Sequence, residues 1–153
     1  MTKHLILIAS AITLLFSFAT KSSAQDTLQI RTGFIFVPQA VVNLRKPAQP
    51  AKTTYPLSAV VSFSKGSNLV NAMYTVNFDA LQIVYLRKLS EDIGMYAVGT
   101  KSLEKNSGYF GIGATHKITN GNANVFFEIG SLWNEWTPEI HTGVIIPCTF
   151  VIK

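Results

Sequence analysis

Residues 123–130 read Ala-Asn-Val-Phe-Phe-Glu-Ile-Gly. Ala123, Val125, Phe127 and Ile129 occupy the odd positions, and the even ones include Asn124, Glu128 and Gly130. A period of two is the mark of a strand with one apolar face. In front of it stands Asn120-Gly121, the dipeptide that type I′ hairpin turns select because both residues tolerate positive φ. The last segment repeats the pattern: Ile140, Val144, Ile146, Phe150 and Ile152 share a face with Thr142 and Cys148, while Glu139, His141 and Gly143 take the other.

Working outward from this stretch, segments of the same kind predict strands over Thr27 to Val37, Leu57 to Lys65, Asn68 to Asn77, Ala80 to Leu89, Gly94 to Ser102 and Gly108 to Ile118, with the last from Ile140 to Ile152. They are rich in Val, Ile, Phe, Tyr and Thr and separated by turn residues. About eight strands and no helical periodicity predict an all-β chain forming an antiparallel up-and-down barrel. The turns agree on register. A two-residue turn pairs an odd-numbered residue with an even-numbered one, so an apolar stripe must change parity to stay on one side. Across Gly66-Ser67, suited to a type II′ turn, it changes from Leu57, Ala59, Val61 and Phe63 to Val70, Ala72, Tyr74 and Val76. Across Asn120-Gly121 it changes from Phe110, Ile112 and Ala114 to Val125, Phe127 and Ile129. Between Gly94 and Ser102 both phases mix apolar and small residues, which leaves that strand's facing open.

The front of the chain has a different character. Lys3 and His4, the apolar run from Leu5 to Ala19, and the small residues Ser22-Ser23-Ala24 make an export signal over residues 1–24, cleaved so that the mature chain begins at Gln25. Residues 25–153 are then one domain. Of the 13 Lys and Arg, Lys3 and Lys21 leave with the signal, and 11 remain against 8 acidic residues. That small excess clusters only at Arg45, Lys46 and Lys52, in a Pro-containing segment, and predicts no nucleic-acid partner. Cys148 is the single cysteine, so no intramolecular disulfide forms, and no cysteine follows Ala24 to carry a lipid. Beyond the signal no apolar run is long enough for a membrane helix.

Alternation alone does not say which side the apolar face is on, and three features favour lipid over a soluble core. The strands are about 9 to 11 residues long, the length a tilted strand needs to cross a bilayer. The connections alternate between tight ones (65–68, 89–93, 119–122) and longer ones (38–56, 101–107, 133–137), with Phe78-Asp79 as a short exception. Phe36, Tyr55, Phe78, Tyr109, Phe110, Trp133 and Trp136 all fall at the rim carrying the longer loops, where amphipathic rings favour the headgroup level. Trp133-Asn134-Glu135-Trp136 is read as an interfacial anchor, and Cys148 as a small residue of the apolar face.

On these alternating segments, on Asn120-Gly121 and on the final strand, the whole mature chain resembles the small eight-stranded outer-membrane barrel proteins of Gram-negative bacteria. The resemblance implies outer-membrane lipid as the surroundings and an outward-facing 38–56 loop available to an extracellular partner. Such proteins commonly end in an aromatic residue read by the assembly machinery, whereas here the order is Phe150-Val151-Ile152-Lys153.

Under this reading Gln29, Arg31, Asn71, Gln82, Asn124, Glu128, Glu139 and His141 point inward, into a barrel expected to be filled by its own side chains. Glu128 is expected opposite Gly113 and Gly143, with room for a long partner. Arg31 is the candidate for a buried ion pair with Glu128, the alternative being separate polar neighbours for each. Glu139 and His141 resemble an acid–base pair, but no serine follows at a matching spacing. Lipid A deacylases are similar in size, yet their His-x-Ser pair has no counterpart, since His116 is followed by Lys117 and Ile118. No catalytic residue, metal site or cofactor is predicted; the glycines within strands lack the strand-to-helix junction of a nucleotide loop. The expected function is a non-enzymatic envelope protein, structural or interacting through its loops. The alternatives are a soluble exported barrel of lipocalin type, with Arg31, Glu128 and His141 in water and an apolar ligand inside, and a lipid-modifying barrel enzyme.

Overall fold

The computed structural model describes residues 27–118 and 122–152; the export signal and the Asn120-Gly121 turn lie outside them. The described residues form ten β segments: β1 (Gln29–Phe36), β2 (Gln39–Asn43), β3 (Lys52–Thr54), β4 (Leu57–Lys65), β5 (Asn68–Thr75), β6 (Ala80–Lys88), β7 (Ile93–Ser102), β8 (Gly108–Lys117), β9 (Asn124–Leu132) and β10 (Thr137–Val151). All pairings are antiparallel, in the order β1-β4-β5-β6-β7-β8-β9-β10, and β10 returns to pair with β1. The result is a closed up-and-down barrel of eight strands.

Ten segments make eight strands because two are interrupted by proline. β1 and β2 keep one register along β10, with Phe36 opposite Ile146 and Gln39 opposite Gly143. They also keep one register along β3 and β4, with Phe36 opposite Leu57 and Gln39 opposite Thr54. Pro38 and Pro56 lack the N–H that would continue the ladder, but the strands run on past them. Their carbonyls stay in use, Pro56 accepting from the Val37 amide at 2.9 Å and Pro38 from the Val144 amide at 3.0 Å. Asn77 repairs the Pro56 break: its side-chain oxygen accepts from the Leu57 amide and its nitrogen donates to the Tyr55 carbonyl. The expected 38–56 loop is therefore mostly barrel wall, with only residues 44–51 as its tip. Its Gln39-Ala-Val-Val-Asn43 run pairs on both sides, which a break at Pro38 had concealed.

The connections define two ends. Both described termini, Gly66-Ser67, residues 89–92, the end of β8 and the start of β9 stand at the turn end; residues 44–51, 76–79, 103–107 and 133–136 stand at the loop end. Gly66 has φ of 58° and Ser67 has no positive φ, the combination a type II′ turn requires. Between β6 and β7 the Leu89 amide bonds to the Ile93 carbonyl at 2.8 Å, enclosing the three residues Ser90-Glu91-Asp92. A three-residue join preserves parity, so the even residues of β6 and β7 face the same way. Gly94, Tyr96, Val98 and Thr100 line the interior with Gln82, Val84 and Leu86, which settles the facing of Gly94 to Ser102.

A path across the paired residues from Arg31 runs through Ser62, Asn71, Val84, Val98, Gly111, Gly130 and Glu139 and arrives back at Asn43. The register thus advances by twelve residues in one circuit, from Arg31 to Asn43. For a fixed strand number a larger stagger means more tilt and a wider barrel. Outward-facing side chains are apolar: Phe34, Val61, Ile83, Met95, Ile112, Val125, Phe127, Ile129 and Ile146 are all exposed, Ile112 to 63% and Ile83 to 62%. The free Cys148 is exposed as well. Inward-facing ones are polar or packed together; Tyr96, Val98, Tyr109 and Phe126 form a buried cluster flanked by Val37, Val84, Leu86, Leu132 and Ile145.

The seam between β1 and β10 has one point of close approach. Gly33 has φ of 154°, and a Cβ there would strike the Cys148 carbonyl. Gly33→Ala is expected to destabilise the barrel by about 1–3 kcal/mol, read as a lower denaturant midpoint, whereas Ala59→Gly on the facing strand is expected to cost less.

Candidate functional site

All eight polar residues expected inside line the lumen: Gln29, Arg31, Asn71, Gln82, Asn124, Glu128, Glu139 and His141. The lumen is not filled, however. It contains a cavity of about 1270 Å³ bounded by residues from both ends of the barrel, from Thr27 and Asp92 to Asp79 and Lys105. The reason lies in side-chain size. Inward positions on β4 and β5 include Ser58, Ser62, Ser64 and Thr75; on β8 and β9 the inward Gly111, Gly113 and Gly130, which pair with Gly130, Glu128 and Gly111 respectively, are covered by the rings of Tyr96 and Tyr109.

The most polar part of the lumen is built on β9 and β10. Glu128, only 6% exposed, sits midway along β9, next to Gly113 on β8 and His141 on β10. Tyr109 donates its phenol hydrogen to Glu128 Oε1 at 2.6 Å, and Tyr96 turns its phenol to the same carboxylate. His141 Nδ1 lies 3.5 Å from Glu128 Oε1, and its Nε2 lies 3.1 Å from Glu139 Oε2. The imidazole stacks on the Tyr109 ring at 4.6 Å between centroids, with the planes 13° apart. The glycines hold this arrangement against the wall. A Cβ at Gly111 would lie 2.7 Å from the Tyr109 hydroxyl and one at Gly113 would lie 2.6 Å from the Tyr96 hydroxyl, while one at Gly130 would strike Tyr109. Both phenols therefore lie flat over a strip without side chains.

This geometry corrects the expected pair. Arg31 stands near the turn end, where Nη2 donates to Gln29 Oε1 at 3.3 Å, and its partner on β10 is Val151. Glu128 faces His141, ten positions earlier on β10. Gly143, expected beside Glu128, pairs with Phe126. The room left by the glycines is taken by the two tyrosines, so the stagger separates the arginine from the carboxylate.

Six of the seven expected rim aromatics are on the surface or partly so. Phe36, Tyr55, Phe78, Trp133 and Trp136 are exposed, Phe36 stacks on Tyr55 at 6.4 Å, and the half-buried Phe110 meets Trp136 edge-on at 5.9 Å. Tyr109 is the exception. It is an interior residue, because on β8 its odd position opposes the outward Phe110 and Ile112. That parity was legible, but its pairing with Glu128 was not; Tyr96 was hidden by the undecided facing of its strand.

Chemically, the group is a carboxylate–imidazole–carboxylate chain with two phenols attached. His141 meets two carboxylates and a phenol ring, and no cluster of three metal-ligating side chains occurs among the described residues. Comparison with protein-family models, with curated proteins and with solved structures finds no match for this chain.

Removing the Tyr109 hydroxyl leaves a buried carboxylate short of one charge-assisted bond. Tyr109→Phe is expected to lower stability by about 1.5–3 kcal/mol, whereas Tyr85→Phe, whose hydroxyl bonds to the half-buried Asn68 at 2.7 Å, is expected to cost less. Denaturant titration of the two variants side by side provides the check.

Proposed function

We propose that this chain is an outer-membrane β-barrel protein of the Gram-negative envelope, non-enzymatic, with a structural or interaction role. The observation that carries the reading is the direction of the apolar face. Phe34, Val61, Ile83, Ile112, Phe127 and Ile129 point away from the lumen, while Asn71, Gln82, Glu128 and His141 point into it. A continuous apolar exterior around a polar interior is the distribution that lipid surroundings select, and soluble proteins rarely expose apolar patches of such extent. Closure supports the same reading, because in hydrocarbon every backbone N–H and C=O needs a partner and a closed barrel supplies one for each strand. A soluble ligand carrier of lipocalin type would need Val125, Phe127 and Ile129 inward. The partner surface under this reading is the tip at 44–51, where Arg45 and Lys46 are exposed, above a belt formed by Phe36, Tyr55, Trp133 and Trp136.

The protein is expected to sediment with membranes, to resist a high-salt or carbonate wash and to need detergent for release. Recovery in the soluble fraction without detergent overturns the reading. A substitution separates the two surroundings more sharply. Ile112→Arg, midway along β8, is expected to cost about 2–4 kcal/mol for a face in hydrocarbon, measured by unfolding from lipid vesicles. A change within about 0.5 kcal/mol, typical of a water-exposed face, counts against lipid.

A further inference from the structure

We infer that the lumen is a conduction path for small hydrated cations. The inference rests on the membrane reading above, and four observations carry it.

The first is extent. The cavity of about 1270 Å³ is bounded by Thr27 and Asp92 at the turn end and by Asp79 and Lys105 at the loop end, so one space runs the height of the barrel. The second is width. A register advance of twelve over eight strands opens the barrel beyond what a smaller stagger allows, and serine and threonine at the inward positions of β4 and β5 leave that side unfilled.

The third is the placement of the large side chains. Tyr96 and Tyr109 are large interior groups, yet they lie back over Gly111, Gly113 and Gly130, Tyr109 bonded to Glu128. In the ring of eight, β5 stands four places from β9 in either direction. There Asn71, Met73 and Thr75 face the space. The tyrosine–glycine packing thus acts as a spacer that keeps one half of the lumen clear.

The fourth is charge. The basic residues bounding the cavity, Arg31, Lys52, Lys88 and Lys105, stand near the two mouths. The acidic side chains bounding it are Asp79, Glu91, Asp92, Glu104, Glu128 and Glu139; Glu128 stands midway along β9, with His141 and then Glu139 toward the loop end. Carboxylates lining a lumen favour cations over anions.

The test is conductance of the purified full-length chain in planar bilayers, with insertion checked independently by heat-modifiable gel migration and protease protection in vesicles. Under a KCl gradient the expected result is discrete conductance steps whose reversal potential lies toward the potassium equilibrium value. Glu128→Gln together with Glu139→Gln is expected to move that potential toward zero. Since loss of Glu128 also disturbs the tyrosines, a second variant addresses the path alone. In a Cys148→Ser background, Met73→Cys is expected to conduct, and to lose most of its conductance when a bulky cationic methanethiosulfonate reagent reacts at residue 73. Inserted, protease-protected protein without conductance overturns the inference and leaves the membrane reading standing. Anion selectivity, or indifference to modification at residue 73, overturns it as well. Protein that folds without entering bilayers overturns both.

Discussion

Closure of the first strand against the last is the constraint from which the remaining features follow. β10 is 15 residues long, and it pairs with β2 over Glu139–Gly143 and with β1 over Ile146–Val151. Without that seam the sheet would expose two open edges, each a row of unpaired N–H and C=O groups. With it, the period of two sorts every side chain into one of two populations. The register advance of twelve residues is fixed at the same seam, since it is the offset between where a circuit leaves the first strand and where it returns. Stagger sets tilt, tilt sets width, and width decides whether interior side chains touch across the lumen or leave it open.

Local alternation made most of the fold legible. The parity change across Gly66-Ser67 placed Val61 and Phe63 on the same face as Val70 and Tyr74, and the pairing of Val61 with Ala72 and Phe63 with Val70 bears this out. Where the local signal was ambiguous, a single turn decided it: the three-residue Ser90-Glu91-Asp92 join fixes the facing of β7. Pro38 misled for a different reason. Proline removes one ladder hydrogen bond, which in a short peptide is enough to end a strand. Here β2 has neighbours on both sides, and Asn77 supplies bonds at the facing break, so the sheet carries the chain past the defect.

The interior was legible residue by residue and not pair by pair. Each of Gln29, Arg31, Asn71, Gln82, Asn124, Glu128, Glu139 and His141 was assigned to the lumen from parity alone, and each lines it. Which of them meet depends on axial height, and height depends on the sum of eight register offsets around the ring. An error of two residues at one turn leaves every facing unchanged while moving a side chain by a full pleat repeat. Facing and charge alone suggest Arg31 and Glu128 as a pair; the circuit puts Val151 beside the first and His141 beside the second. Tyr109 was lost in another way, because an aromatic beside a loop suggests a rim position even where its parity points inward.

The glycines of β8 and β9 connect the two faces of this wall. Within a strand glycine is a cost in backbone entropy, and on an exterior meeting water or lipid it contributes no apolar surface. At 111, 113 and 130 it instead admits ring atoms where Cβ atoms would stand. That close approach lets Tyr96 and Tyr109 reach Glu128 without crossing the lumen. A barrel that filled its interior with large residues would gain packing and lose space; one with small residues alone would leave Glu128 buried and unbonded. Setting two phenols into a glycine strip satisfies the carboxylate on one side and keeps the opposite side clear, so the stability of the buried charge and the openness of the lumen come from the same contacts.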